Sequence, residues 1–284
     1  MSQTRTEKSL LPLDAADLQL FKYQLKTKAQ SLSFGRRLYQ CNAAEDVADE
    51  KQFWLKAQLT NSSGFSSEGF LQELRCYRIM HAQQMQIMLP FQIISNLHIQ
   101  QGSEHLNFTE VLLLPHAPAF FQQDPLLLTL PQVKHWLWQA IDALDQLEQA
   151  GWMHGDIKTE HFVMYEGQLK ILDFEQARQI IAPAHVMNAT PRYMAPELFQ
   201  GQPKDIASEI YALGIVFYEW LSGQRLKASS YQDWAVLHCQ QLKIELPAVF
   251  NAFLPLLLGM LAKHKTARMQ SFLALKRCLI TEIA

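Results

Sequence analysis

The stretch His154-Gly155-Asp156-Ile157-Lys158-Thr159-Glu160-His161 decides the fold. It follows a long amphipathic pattern through the turn Gly151-Trp152-Met153, and it precedes a β-like segment in which Glu166-Gly167 predicts a hairpin turn. That segment closes on Ile171-Leu172-Asp173-Phe174-Glu175. Asp156 and Asp173 therefore sit on loops at the two ends of one hairpin, seventeen positions apart. A hairpin brings its ends together, so both carboxylates can face one cleft. Such a pair suits phosphoryl transfer. One carboxylate orients a hydroxyl and accepts its proton, and the other holds a divalent cation against the phosphates.

Outward from this stretch, the two flanks differ in texture. Between Phe21 and Leu114 the patterns are short and strand-like: Phe21–Ala29, Arg36–Cys41, Lys51–Leu59, Phe91–Gln100 and Phe108–Pro115. Polar turns are expected at residues 43–50 and 100–107. One helix, from Ser67 to about Gln84, interrupts the strands and sets Phe70, Leu74 and Tyr77 on one face. From Leu130 onward helices dominate. Val133, Leu137, Ile141, Leu144 and Leu147 form one apolar stripe, and Ile210, Leu213, Phe217 and Leu221 form another.

Composition narrows the classes. The 284 residues carry 25 Lys+Arg against 27 Asp+Glu, a net charge of -2, so no basic surplus drives binding to nucleic acid. The chain is 49% hydrophobic and 18% charged, which argues for a packed core rather than disorder. No apolar run reaches the roughly 18 residues of a membrane span, and the first twenty residues lack the apolar core of a signal peptide. Cys41, Cys76, Cys239 and Cys278 are scattered, so a disulfide or zinc framework is not expected and a reducing cytoplasm is.

The sequence resembles the eukaryotic-like Ser/Thr protein kinases, as a divergent member. His154–His161 is similar to that family's H-R-D-L-x-x-x-N loop, and Asp173-Phe174-Glu175 to its D-F-G. Ala189-Thr190-Pro191-Arg192-Tyr193-Met194-Ala195-Pro196-Glu197 resembles G-T-P-x-Y-M-A-P-E. Ser208–Gly214 resembles the S-D-x-(W/Y)-S-L-G helix, and Leu261–Arg268 the late L-x-K-x-P-x-x-R segment. These matches stand in family order and spacing from about Phe21 to the C-terminus.

The resemblance implies an α+β, bilobal kinase-like fold: an extension over 1–20, a small β-rich N-lobe over 21–114 that binds ATP, and a larger helical C-lobe over 115–284. It implies ATP with Mg²⁺ or Mn²⁺, and a protein substrate or signalling partner. Asp156 would orient the substrate hydroxyl, Lys158 would stabilise the transferred phosphoryl, and Asp173 would bind the metal. Lys56 and Glu73 would pair to anchor the ATP phosphates, and Thr190 would help form the pocket beside the phosphoacceptor. Glu197 would pair with Arg268, and Glu209 would cap the catalytic-loop backbone. His154 would pack on Phe174, with Tyr77 one turn beyond Glu73.

Several positions depart from the family pattern. Gln30–Tyr39 occupies the place of the glycine-rich loop and keeps only Gly35 of three glycines. Glycine there lets backbone N–H groups approach phosphates. Arg36 or Arg37 would substitute by charge, or both are ordinary solvated strand arginines. His161 replaces a metal-binding asparagine: it is structural with one metal sufficient, or it favours manganese, or it marks lost catalysis. Glu175 replaces the D-F-G glycine. In an extended stretch it would share the metal site with Asp173, or it merely occupies a position where glycine was not needed. Gly155 replaces the arginine that receives an activation-loop phosphate in the family, and the only hydroxyls between Gln176 and Met194 are Thr190 and Tyr193, so no activation by loop phosphorylation is expected. The other histidines show no metal-ligand spacing.

The departures keep two alternatives open beside an active Ser/Thr kinase: a pseudokinase that binds nucleotide or partners without turnover, and a small-molecule kinase. With about twenty residues ahead of the first strand and almost none after the last helix, control is expected from the protein's surface or a separate partner.

Overall fold

The computed structural model describes residues 18, 21–42, 52–59, 64–101, 104–182 and 189–281. The extension expected over 1–20 lies outside these apart from Leu18, as do the turn expected at 43–50 and His185. The chain forms two compact units. The first ends at Ala117, and the second runs from Pro118 and also takes in Met85–Ile87.

The first unit is built on a five-stranded antiparallel sheet. Its strands are β1 (Lys22–Leu25), β2 (Arg36–Asn42), β3 (Gln52–Gln58), β4 (Gln92–Gln101) and β5 (Glu104–Pro115), in the order β1-β2-β3-β5-β4. Alternation along β3 sends Phe53, Leu55 and Ala57 into a core with Tyr39, Cys41, Leu97, Phe108 and Val111. Lys56 lies on the opposite face of the pleat, between Leu38 of β2 and Leu112 of β5. Helix α1 (Gly64–Ala82) buries Phe70, Leu74 and Tyr77, the face expected from their spacing, together with Glu73. Strands β4 and β5 take in residues 100, 101 and 104–107 of the polar turn expected at 100–107, and its other two residues lie outside the described ones. Polar residues on solvent-facing positions extend a strand as readily as they end one.

The first strand also ends earlier than its pattern predicts. After Leu25 the chain leaves the sheet and makes one helical turn, Ala29–Leu32, before Gly35 turns it into β2 at φ +76°. Side chain-to-backbone bonds hold this connection. Thr27 Oγ1 accepts from Leu38 N at 2.7 Å, and Gln58 Nε2 donates to Phe34 O at 2.7 Å.

The second unit is mostly helical. Helix α2 (Leu130–Gln149) starts at a capping box between Thr129 and Gln132 and buries Val133, Leu137, Ile141, Leu144 and Leu147. It packs against α4 (Phe272–Thr281). Between them in sequence, α3 (Ile206–Ser222) is capped by Asp205, which accepts from Ser208 N at 3.1 Å, and ends at Gly223 with φ +66°. The sequence predicts one apolar stripe on α3, but Ile206–Leu221 is buried all round. A helix apolar on every face belongs at the centre of its unit, and the two glutamates it carries, Glu209 and Glu219, are each held by hydrogen-bond donors.

Two small antiparallel pairs flank the stretch His154–His161. Strands β7 (Phe162–Tyr165) and β8 (Gln168–Ile171) form the expected hairpin, with Glu166 at φ +49° and Gly167 at φ +77°, the backbone of a type I′ turn. Strand β6 (Trp152–Met153) pairs with β9 (Arg178–Gln179). Among the described residues no helix is long and apolar enough to cross a membrane.

Candidate active site

In the first unit, Lys56 Nζ lies 2.6 Å from Glu73 Oε2, and Glu73 is almost wholly buried. The central position of β3 and the inward face of α1 bring them together, as their order in the sequence predicts. Gly35 stands at the start of β2, and its carbonyl accepts from Leu59 N at 2.9 Å. Arg37 donates to Leu32 O at 3.2 Å and Arg36 O at 2.9 Å, so its guanidinium serves this connection's own backbone. Arg37 thus lies half-buried on β2 and bonds to nearby backbone.

In the second unit, the loop between β6 and β7 carries His154–His161. His154 is fully buried. Its Nε2 donates to Leu172 O at 2.9 Å, its Nδ1 accepts from Asp156 N at 3.2 Å, and its ring lies 5.5 Å from that of Phe174. Burial and the neighbouring His161 lower its pKa to about 4, so it packs as a neutral ring. Asp156 accepts from Lys158 Nζ at 2.8 Å on one oxygen and from Thr190 Oγ1 at 3.2 Å on the other. Burial opposes ionisation of Asp156, but the Lys158 ammonium outweighs it and holds the carboxyl below the usual range.

His161, only 5% exposed, links the two ends of the β7–β8 hairpin. Its Nδ1 lies 2.8 Å from Asp156 O and its Nε2 3.1 Å from Asp173 Oδ2. A backbone carbonyl can only accept, so Nδ1 carries a proton. Nε2 then meets the Asp173 carboxylate as a second donor, or as a lone pair sharing a cation with it. One ligand atom each from Asp156, His161 and Asp173 lies within 4.8 Å of the others. Two carboxylate oxygens and one imidazole nitrogen fit a divalent cation, and the nitrogen moves the set from magnesium toward softer ions such as manganese.

Asp173 itself adopts a left-handed conformation, φ +65°, and Phe174–Gln176 forms a 3-10 turn. The extended stretch assumed for Glu175 is therefore absent. Even so, a Glu175 oxygen lies within 4.8 Å of one from Asp173, reached by the turn rather than by strand alternation. Glu175 is not part of the Asp156–His161–Asp173 group.

The remaining expected residues support this loop from below. Glu209 accepts from His154 N at 3.0 Å and from Gly155 N, and burial raises its pKa. Arg268 donates to both oxygens of Glu197, at 2.7 and 2.9 Å, and to the carbonyls of Ala207 and Ala262. Burial disfavours the Glu197 charge, but Arg268 overrides it and keeps the carboxyl below its ordinary range.

Other functional contacts carry no motif in the sequence. Lys204 donates to Gly155 O, and Arg178 donates to Lys204 O at 2.6 Å. Arg192 makes a two-bond pair with Glu219, beside a cavity of about 410 Å³ lined by Phe121, Leu126, Glu160, Trp220 and Arg225 as well. His238 is buried against Tyr211, whose hydroxyl is 2.9 Å from Nδ1.

Comparison with known proteins shows the family and the fold. The family model described as protein kinase domain matches residues 77–277. A Corynebacterium efficiens protein named serine/threonine-protein kinases drp72 is 31% identical over 136 residues, covering 46% of this chain and 26% of its own. Mouse serine/threonine-protein kinase Nek3 is 26% identical over 155 residues, covering 53% of this chain and 30% of its own. The matches thus span under a third of those relatives' lengths. The solved structure of the Cydia pomonella granulovirus kinase PK-1 superposes with a TM-score of 0.64 at 16% identity, over 95% of this chain and 97% of that one. That likeness shows the fold, α+β and kinase-like, with a β-rich first unit and a helical second.

Proposed function

The chain belongs to the protein kinase domain family, and from that premise we propose that it transfers the γ-phosphoryl group of ATP to serine or threonine hydroxyls of a protein substrate. The observation that carries this reading is the setting of Asp156, ionised and held by Lys158 at 2.8 Å and by Thr190 at 3.2 Å. A carboxylate so fixed can align an acceptor hydroxyl and take its proton. Lys158, already turned toward that carboxylate, lies where charge on the transferred group can be neutralised. Lys56, oriented by Glu73, is assigned to the ATP phosphates. Asp173 with His161, and Glu175 beside Asp173, would hold Mg²⁺ or Mn²⁺, which supplies charge compensation at the phosphate oxygens.

A protein acceptor is favoured by the Pro191–Glu197 segment and by the cavity beside Glu160 and Arg192. This speaks against the small-molecule alternative. We place the protein in a reducing cytoplasm on its scattered cysteines.

One observation favours the pseudokinase reading. The helical turn Ala29–Leu32 stands where the family's glycine-rich loop cradles phosphate. Incubation with labelled ATP and Mg²⁺ or Mn²⁺, beside Asp173→Ala, separates the two. Label that enters a generic basic protein and is lost in the variant supports transfer. Thermal stabilisation by ATP without label supports the pseudokinase.

A further inference from the structure

Gly155, the residue that precedes Asp156, is gripped at both its N–H and its carbonyl by residues at the start of α3. Its N–H side is held by Glu209, which accepts from Gly155 N and His154 N. Its carbonyl side is held by Lys204, whose ammonium donates to Gly155 O. Lys204 precedes the cap residue Asp205, and Glu209 lies in the first turn of α3. Both grips therefore come from the start of that helix and the residue before its cap.

Lys204 is itself braced. Arg178 donates to the Lys204 carbonyl at 2.6 Å and to Ala182 O at 2.9 Å. Arg178 belongs to β9, paired to Met153 on β6, two residues before Gly155. A continuous chain of polar contacts thus runs from Ala182 through Arg178 and Lys204 to the residue before Asp156. Gly155, Asp156, Thr190, Lys204 and Glu209 also line a cavity of about 20 Å³, enough for one water. Burial lowers the pKa of Lys204, and the nearby Glu209 and Asp156 carboxylates only partly oppose this while Arg178 adds to it. An ammonium in that setting answers charges on both sides of the loop peptide.

We propose that Lys204 is a positioning residue for phosphoryl transfer, fixing the Asp156 carboxylate through the Gly155 carbonyl with Arg178 as its brace. In the resembling kinases a cation at position 155 needs a phosphate on the activation loop, whereas here the cation arrives from the approach to α3 and is in place without one. The claim rests on the reading of Asp156 as the residue that orients the acceptor.

The test uses the full chain with Lys204→Met, Lys204→Gln and Lys204→Arg. Amide hydrogen exchange of residues 154–158 is measured beside Tm and steady-state transfer. Exchange in the loop should quicken in the Met and Gln variants, with Tm near wild type, and Lys204→Arg should restore protection. The value of kcat should fall by roughly tenfold or more with the KM for ATP little changed, since displacement of a catalytic group mainly affects the chemical step. Unchanged loop exchange in a folded Lys204→Met or Lys204→Gln protein would overturn the proposal, as would wild-type kcat in an active preparation. If wild-type protein transfers no phosphate, the reading of its function fails, and the exchange result still decides the role of Lys204. Should Lys204→Met not fold, the Gln variant gives the same readings.

Discussion

Gly155 lies so close to Gln176 that a Cβ on it would stand 2.2 Å from the Gln176 carbonyl oxygen. Its φ of +85° independently disfavours any side chain. The glycine is therefore required by the backbone on both counts, and no arginine fits there without moving the segment that follows Asp173. Gly155→Ala should destabilise the protein by about 2 kcal/mol or more, read as a lowered urea midpoint. A midpoint equal to wild type would show that the loop and Gln176 are not packed as described.

Arg268 and Glu197 form a buried two-bond pair, at 2% and 4% exposure. Loss of one partner leaves an uncompensated buried charge. Arg268→Met should cost about 3–5 kcal/mol in denaturant unfolding. Glu197→Gln, which leaves the arginine unneutralised, should act in the same direction. Losses below about 1 kcal/mol for both would contradict a structural role for the pair.

The buried histidines should make stability fall with acidification. Burial lowers the pKa of His238 from 6.5 to about 4. The unfolded chain binds that proton near 6.5 while the folded protein resists it, so the stabilisation is fully present above 6.5 and is lost as pH falls toward 4. The loss amounts to up to about 3 kcal/mol, and His154 adds to it with the same sign. Denaturant unfolding from pH 7 to 4.5 should show this slope, and His238→Gln should flatten it. An unaltered slope in the variant would remove His238 as its source.

The imidazole of His161 should set metal preference. His161→Asn replaces its nitrogen donor with an amide oxygen, which suits magnesium better. Direct titration should show Mn²⁺ affinity falling relative to Mg²⁺ affinity in the variant. Identical ratios in the two proteins would leave His161 a purely structural link between Asp156 and Asp173.

Much of this site is legible in the sequence because its residues lie on local structure with strong signals. The Glu166-Gly167 turn fixes the hairpin, and the hairpin fixes how near Asp156 and Asp173 can be. Lys56 and Glu73 are legible only through the family resemblance, which marks a strand lysine followed by a helix glutamate. The missed features depend on long-range packing. No spacing marks Lys204 as a partner of Gly155, 49 positions earlier, because an N–H···O bond to a backbone carbonyl leaves no trace in side-chain pattern. The helical turn Ala29–Leu32 was hidden for another reason: its residues tolerate either state, and the bonds that hold it tie Thr27 to Leu38 of β2 and Phe34 to Gln58 of β3. The bend at Asp173 likewise follows from the fold around it, which places a non-glycine residue at φ +65° and carries Glu175 off the extended path.

The most direct measurement is transfer of labelled phosphate from ATP to a generic basic protein by the full chain, followed by phosphoamino-acid analysis, with Asp156→Asn in parallel. Label on serine or threonine with wild-type protein, and its loss in an equally stable Asp156→Asn protein, is the expected result. Label that persists in the variant, or ATP binding by wild type with no label under either Mg²⁺ or Mn²⁺, would contradict catalysis by Asp156.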